Sequence, residues 1–385
     1  ERLCDMAKQC IGIDVGGTTA KIGLLSSEGV ILDKWEIPTR REENGAHILP
    51  DIAASVREYL DRHGIGTEDI LGAGIGVPGP VTPDGNVAVC VNLGWKQETN
   101  PEKELSRLLN GIYVKAGNDA NVAALGEMWQ GGGKGHKSIM LFTLGTGVGG
   151  GVVVNESVVA GFRGMGGEIG HILVNFDEPD SCNCGNHGCL EQYASATGIV
   201  RVARQMLEAS DEPSVLRKGD AAFSCKAVLD AAKAGDVLAL SAVRTSMRYL
   251  ALAMHYISHI TDPEIFVIGG GVSKAGQFLL DIIEEYYETF TVMGKGRAKV
   301  GLATLGNDAG MYGAARLVLD RCGGRELPAP MRWSEDFGHY LRRCPGAFFG
   351  IGAGEGCPPL HTKDYQYPDE LLEPAIRAFR QILLG

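Results

Sequence analysis

Twice in this 385-residue chain a run of alternating apolar residues enters a glycine-rich turn and leaves it in the same two-residue rhythm. The first has Ile11, Ile13 and Val15, then Gly16-Gly17-Thr18-Thr19, then Ala20, Ile22 and Leu24. The second runs from residues 139–144 through Gly145-Thr146-Gly147-Val148-Gly149-Gly150-Gly151 into Val152-Val153-Val154. A period of two on both sides of a turn joins strand to strand rather than strand to helix. Two such hairpins, about 130 residues apart, predict a duplicated lobe with a cleft between the copies. The chain is also too long for one ordinary domain.

The remaining periodicities fill out two α/β lobes. The spacing of Ile52, Val56, Tyr59 and Leu60 predicts a helix over 51–62. A strand over 70–77, a helix over 101–109 opening on Pro101, a strand over 111–116 and a helix over 120–129 follow. Beyond the second hairpin, helical patterns cover 196–209, 225–234 and 237–260, and a strand at 264–268 leads into Gly269-Gly270-Gly271. A helix at 275–289, a strand at 298–303 and a helix at 309–320 complete the unit. The predicted division is an N-terminal lobe over 1–117, a C-terminal lobe over 118–322 whose last helix can pack back on the first, and a tail over 323–385.

Asp+Glu 47 against Lys+Arg 36 leaves a net charge of −11, which argues against a nucleic-acid binder with a basic face. No uninterrupted apolar run reaches the ~18 residues of a membrane span. The first residues, with Glu1, Arg2, Asp5 and Lys8, show no apolar leader. Three of the 10 cysteines, Cys182, Cys184 and Cys189, fall within eight residues. That is a local thiolate cluster in a cytoplasmic protein, not a disulfide scaffold.

The glycine turns carry the first chemistry. Gly74-Ile75-Gly76-Val77-Pro78-Gly79 and Gly145-Thr146-Gly147-Val148-Gly149-Gly150 both match G-x-G-x-x-G, but neither opens a helix, so the dinucleotide fingerprint lacks its context. A hairpin turn of bare backbone can still cradle phosphate. In Asp14-Val15-Gly16-Gly17-Thr18-Thr19-Ala20-Lys21 a carboxylate at a strand end precedes such a turn, where it can hold Mg²⁺ or its waters beside a polyphosphate. This segment resembles the ATPase superfamily of hexokinases, actin and Hsp70-like chaperones. Asn118-Asp119-Ala120-Asn121 fits its sugar-kinase branch: a carboxylate leaving a strand into the cleft can take a hydroxyl proton. The plain alternative is an Asn-Asp turn capping the next helix.

Gly167-Glu168-Ile169-Gly170-His171 precedes Cys182-Asn183-Cys184-Gly185-Asn186-His187-Gly188-Cys189-Leu190-Glu191. Three thiolates and one imidazole make a closed, tetrahedral, structural Zn²⁺ site. His187 competes with His171 as the fourth ligand; His171 is preferred because His187 lies inside the loop between two ligands. A redox dithiol pair or buried free cysteines are the alternatives.

Over residues 10–320 the combination resembles the ROK family (repressors, open reading frames and kinases). The likeness rests on the turn at 14–21, Val77-Pro78-Gly79-Pro80, Asn92-Leu93-Gly94-Trp95, Asn118-Asp119-Ala120-Asn121, Leu144-Gly145-Thr146-Gly147, the cysteine loop and Gly269-Gly270-Gly271. It implies a two-lobed actin/hexokinase-like α/β fold with duplicated mixed sheets, and ATP-dependent phosphorylation of a hexose with Asp119 as general base. Gly79, Asn92, Asn118, Glu168, His171 and Glu191 would bind the sugar. Phosphates would lie on Asp14, Gly16, Gly17, Thr18, Thr19 and Lys21 and on Gly145, Thr146 and Gly147, with adenosine near Gly269, Gly270 and Gly271. The implied cofactors are structural Zn²⁺ on His171, Cys182, Cys184 and Cys189, and Mg²⁺ with ATP. Glucose is the first substrate expected, with mannose, fructose, N-acetylglucosamine and N-acetylmannosamine open, and polyphosphate an alternative donor. The expected assembly is a homodimer or higher homo-oligomer. The family's repressors carry an N-terminal DNA reader, for which no room is expected before the first strand. A sugar sensor without turnover is the rival from another class.

Residues 331–385 resemble instead the end of aminoacylase and carboxypeptidase-type metal-dependent amidohydrolases, through Pro345-Gly346-Ala347-Phe348-Phe349 and Pro359-Leu360-His361. The likeness would make His361 a metal ligand. No other segment resembles the further ligands that a two-metal hydrolase needs, so an extra α/β fragment without catalysis is expected.

Overall fold

The computed structural model describes residues 9–218, 223–292 and 298–319. The tail, with His361 and its amidohydrolase likeness, lies outside the described residues. The first sheet is built from β1 (Gln9–Val15), β2 (Thr19–Ser26), β3 (Ile31–Pro38), β4 (Ile70–Val77) and β5 (Val114–Asn118) in the order β3-β2-β1-β4-β5. The second holds β6 (Ile139–Leu144), β7 (Val148–Val154), β8 (Ser157–Val158), β9 (Ile265–Gly269) and β10 (Lys299–Leu302) in the order β10-β9-β6-β7-β8. In each, an antiparallel meander of three strands is followed by two strands parallel to its first member. The duplication expected from the two glycine hairpins is present, as two mixed sheets of one topology.

An irregular turn α1 (Glu42–Gly45) precedes α2 (Ile48–His63), which buries Ile48, Leu49, Ile52, Ala53, Val56 and Leu60 on one face and stops at Gly64, whose φ of 64° is left-handed. Asn100 caps α3 (Pro101–Leu108) by accepting from the Lys103 N–H. The second lobe adds α5 (Glu191–Ala194), α6 (Ala196–Ala209), α7 (Cys225–Lys233), α8 (Val237–Thr261) and α9 (Gln277–Phe290). Helix α8 is long and apolar enough to cross a membrane by length and composition alone. Its Leu238, Val243, Met247, Leu250 and Met254 are instead buried in the second lobe's core with Phe142 and Phe266, and Arg244 and Arg248 break the apolar run.

Two helices remain, and the lobes exchange them. Helix α4 (Asp119–Gln130) continues from β5 of the first sheet but packs on β6 and β7 of the second. Helix α10 (Ala309–Leu319) continues from β10 of the second sheet but packs on β1, β4 and β5 of the first. The pair also pack on each other, and glycine sets how close they come: a methyl at Gly313 would lie 1.6 Å from the Val122 carbonyl oxygen. Gly74 of β4 does the same under α10, where a methyl would meet the Ala314 carbonyl oxygen at 1.6 Å.

The structure moves several predicted boundaries: the strand expected over 111–116 is Val114–Asn118, and the helix expected over 51–62 is Ile48–His63. Gly149, Gly150 and Gly151 belong to β7 and not to the turn, which is confined to 145–147. A side chain at Gly151 would strike the Ala120 carbonyl oxygen at 2.6 Å, so the glycines serve the approach of α4 to the strand rather than the bend.

Gly313→Ala forces α4 and α10 apart, because its methyl meets backbone that no rotamer can clear. It should lower stability by about 1–3 kcal/mol, read as a fall in the thermal midpoint. Gly271→Ala, where a methyl meets nothing within 4 Å, should leave the midpoint unchanged.

Candidate active site

Because β1, β4 and β5 run parallel, their C-terminal ends share one edge of the first sheet. That edge presents Asp14, the bend after Val77, and Asn118, where ligands of open α/β sheets collect. Asn118 caps α4: its Oδ1 accepts from the Ala120 and Asn121 N–H groups at 3.0 and 3.1 Å. Its Nδ2 donates to the Gly79 carbonyl at 3.1 Å, drawing the Val77–Pro80 bend to the start of the helix. Asp119 is the first residue of α4, and one oxygen accepts from the Ala120 N–H at 2.8 Å. The cap and the proposed base are therefore neighbours on one turn, and the capping role does not compete with the catalytic one.

Burial pushes the Asp119 carboxyl above the usual range, and the nearby charge of Glu168 adds to this; the Ala120 N–H pulls the other way. Asp14 is pushed up to about 6, chiefly by burial, with Lys21 opposing and Asp119 reinforcing. Asp14 and Asp119 thus lie close enough to feel each other's charge. Lys21 is the cross-strand partner of Asp14, and its ammonium donates to the Asn307 carbonyl at 3.0 Å. The first glycine turn closes with Gly16 N–H on the Thr19 carbonyl at 2.9 Å, and the Thr39 N–H binds the Thr18 carbonyl. Asn92 is exposed on a short 3₁₀ turn, and its carbonyl lies beside Gly17.

On the other lobe, Gly145 N–H closes on the Gly147 carbonyl at 3.0 Å. Gly270, at φ 84°, is wedged against Leu144, so the Gly269–Gly271 segment adjoins this turn. Glu191 opens α5, and its Oε2 accepts from the Val148 N–H at 2.9 Å while its Oε1 lies 4.0 Å from the Cys182 sulfur. Glu168 is exposed at the head of the turn that carries His171.

His171, Cys182, Cys184 and Cys189 converge so that their donor atoms all lie within 4.8 Å of one another. The long gap between His171 and the cysteines closes through an antiparallel bridge of Leu173 with Cys189 and the Leu190 N–H on the Ile172 carbonyl at 2.9 Å. The Cys184 and Cys189 sulfurs are 3.6 Å apart, far beyond a disulfide bond. They match the roughly 3.8 Å edge of a tetrahedron with Zn–S bonds of about 2.3 Å. The His171 Nδ1 lies 3.9 Å from the Cys182 sulfur. His187 is not in the cluster; its strand position pairs with Ser181 instead. Burial pushes Cys189 up to about 12, whereas the Asn186 N–H holds Cys184 below the usual thiol range.

Three features carry no sequence signal of their own. Asn121, 2% exposed, donates to the Gly166 carbonyl at 3.0 Å and so anchors the loop before Glu168. The buried Cys90 thiol donates to the Pro78 carbonyl at 2.8 Å, and its ionisation is opposed by burial and by the charge of Asp119. An open cavity of about 610 Å³ adjoins the second turn, with Thr146, Thr197, Val200, Arg204 and Phe223 in its lining. Asn121 stood inside a recognisable motif; Cys90 and the cavity could not be found without coordinates.

The model of the ROK family matches residues 10–321, ending before the tail. A glucokinase of Halalkalibacterium halodurans is 44% identical over 313 residues, covering 80% of this chain and 94% of the relative. A glucokinase of Streptomyces coelicolor is 37% identical over 80% of this chain and 96% of its own. Among solved structures, a ROK family glucokinase from Streptomyces griseus in complex with glucose and AMPPNP superposes with a TM-score of 0.62 at 34% identity, over 80% of this chain and 98% of that one. The ROK hexokinase of Thermus thermophilus gives a TM-score of 0.68 at 29% identity, over 80% and 96%. The chain belongs to the ROK family and is a glucokinase-like sugar kinase within it.

Proposed function

We propose that the chain transfers the γ-phosphoryl group of ATP to the 6-hydroxyl of glucose, with Asp119 as general base. The observation that carries the reading is the placing of Asp119 at the first residue of α4, within electrostatic reach of Asp14 on one side and Glu168 on the other. A raised carboxyl has a greater affinity for the hydroxyl proton it must accept, and its basicity moves toward the operating pH. Asn118, the backbone at Gly79 and Glu168 adjoin the same turn, and with His171, three residues beyond Glu168, they fit a ligand rich in hydroxyls, with Asn92 at the margin. The amides of 16–19 and 145–147 receive the phosphates, with Lys21 on their flank, and the cavity beside Thr146 takes the nucleoside, next to Gly269–Gly271. Closure of the lobes excludes water from the transfer. The same reading makes the protein a cytoplasmic homo-oligomer without nucleic-acid or membrane partners.

Two ions belong to this reading. The His171, Cys182, Cys184 and Cys189 donors fit zinc in number, type and spacing, and bound zinc would fix the loop without chemistry of its own. With Nδ1 turned to the sulfurs, His171 keeps its other ring nitrogen for a sugar hydroxyl. The half-buried carboxylate of Asp14 fits Mg²⁺, which supplies charge neutralisation at the phosphates.

Asp119→Asn should cut kcat in a coupled ADP-release assay by ~10²-fold or more while glucose still binds; near-parental turnover removes Asp119 from its role. Cys184→Ser should lower both the zinc content, expected at about one per chain, and the affinity for glucose, read by metal analysis and calorimetry. Full zinc retention would refute the ligand set.

Asp14 gives a prediction for stability. Its folded pKa, about 6, lies above the unfolded value, so ionisation opposes folding, and stability falls as pH rises from about 4 to 6. Without nucleotide or metal, Asp14→Asn should therefore stabilise the protein at pH 7 by about 3 kcal/mol at most, since two pKa units correspond to that energy. The gain should vanish near pH 4. A variant less stable than the parent at both pH values contradicts this account.

A further inference from the structure

At 1% exposure, Glu127 is more deeply buried than any other acidic residue among those described, and the phosphoryl transfer makes no direct use of it. Its carboxylate collects three backbone N–H groups from two distant segments. Oε2 accepts from Gly132 at 2.7 Å and from Thr304 at 3.0 Å, and Oε1 accepts from Leu305 at 2.9 Å. Its own carbonyl accepts from Gly131 and Gly133. One side chain thus ties the C-terminal end of α4 to the segment that leads from β10 into α10.

Both joined elements end at the site. Helix α4 is a 12-residue rod, about 18 Å long, whose first residue is Asp119. The other segment runs from Leu305 to Asn307, whose carbonyl holds the Lys21 ammonium at 3.0 Å, and to Asp308, which pairs with Lys34 at 2.6 Å. It then enters α10 at Gly310, packed so tightly on Asp14 that a methyl there would lie 2.5 Å from the carboxyl carbon. Asp119 is carried by α4, and Asp14 of β1 is packed against the start of α10, so Glu127 joins the elements that bear on both carboxylates.

We propose that Glu127 is a positioning residue for phosphoryl transfer: it bolts α4 to the 303–308 segment and so sets Asp14 and Lys21 relative to Asp119. The proposal rests on the kinase reading above. The choice of a carboxylate follows from the donors. Three N–H groups converge, and only an acceptor with no N–H of its own satisfies them all, whereas an amide would turn its NH₂ toward at least one. A role of bare structural support would equally be met by apolar packing between the helices, which needs no convergent donors.

The test compares the full chain with Glu127→Gln. In hydrogen–deuterium exchange, the amides of 303–308 and 14–21 should exchange about tenfold faster, with those of 118–121 unchanged. In the coupled assay kcat should fall roughly tenfold or more and KM for MgATP should rise, while the glucose Kd by calorimetry stays within about twofold. A variant that melts earlier yet keeps parental exchange at 14–21 would overturn the proposal, as would glucose affinity falling in step with kcat. If the parent itself does not phosphorylate glucose, the kinase reading fails, and the exchange data still decide whether the bolt exists. Should the glutamine variant not fold, Glu127→Asp, which keeps the charge one methylene short, is read by the same measurements with the same criteria.

Discussion

Everything functional in this molecule depends on how closely α4 and α10 approach each other. Each helix grows from one sheet and packs on the other, so their crossing is where the lobes are joined by both chain and packing. The crossing is held tight by backbone against backbone, at Gly313 over Val122 and at Gly126 under Ala309. Such contacts leave no flexible side chain to absorb a change. The N-terminus of each helix then delivers a fixed group to the cleft: α4 brings Asp119, and α10 brings Gly310 against Asp14. A joint that is stiff at the crossing and open at the cleft lets the lobes move while the reacting groups keep their register.

The cleft so formed is electrostatically unsatisfied. Asp14 and Asp119 both titrate above their ordinary range, and each is raised by a neighbouring carboxylate as well as by burial. A protein selected for stability alone would not bury like charges this way, because such an arrangement opposes folding. On the proposed reading, that opposition would be relieved by a cation beside Asp14 and by hydroxyl donors beside Asp119 and Glu168.

The sequence displayed the duplication because β-hairpins write their period directly into apolar spacing, and Ile11, Ile13 and Val15 need no tertiary knowledge to be read. The cysteine loop was equally open, since its three cysteines lie within eight residues. The swap of α4 and α10 was barely visible: amphipathic spacing says that a helix buries one face but not which sheet receives it. The contacts of Glu127 and of Asn121, the latter inside a motif already recognised, were invisible for a related reason. Each acts by bonding its side chain to backbone that arrives from far along the chain, at Thr304 or Gly166, and a backbone N–H or carbonyl has no residue identity to recognise. The glycines of β7 misled for the opposite cause. Their density resembles a longer turn, whereas Gly151 is pressed by the flank of α4, Gly150 by Ile169 and Gly149 by Thr143.

The choice between His171 and His187 shows how topology settles what spacing leaves open. His187 is nearer in sequence to all three cysteines, but its place inside the loop between two ligands already favours His171. The bridge between Leu173 and Cys189 agrees with that preference by folding the His171 turn onto the cysteine loop, while Ser181 pairs with His187, which is exposed. The consequence reaches beyond the ion. His171 shares its short turn with Glu168, and Glu168 acts electrostatically on Asp119, so the cluster adjoins the surroundings of the proposed general base. A ligand set built on His187 would stiffen only the loop; one built on His171 would also stiffen the turn that carries Glu168, which the proposed function places against the sugar.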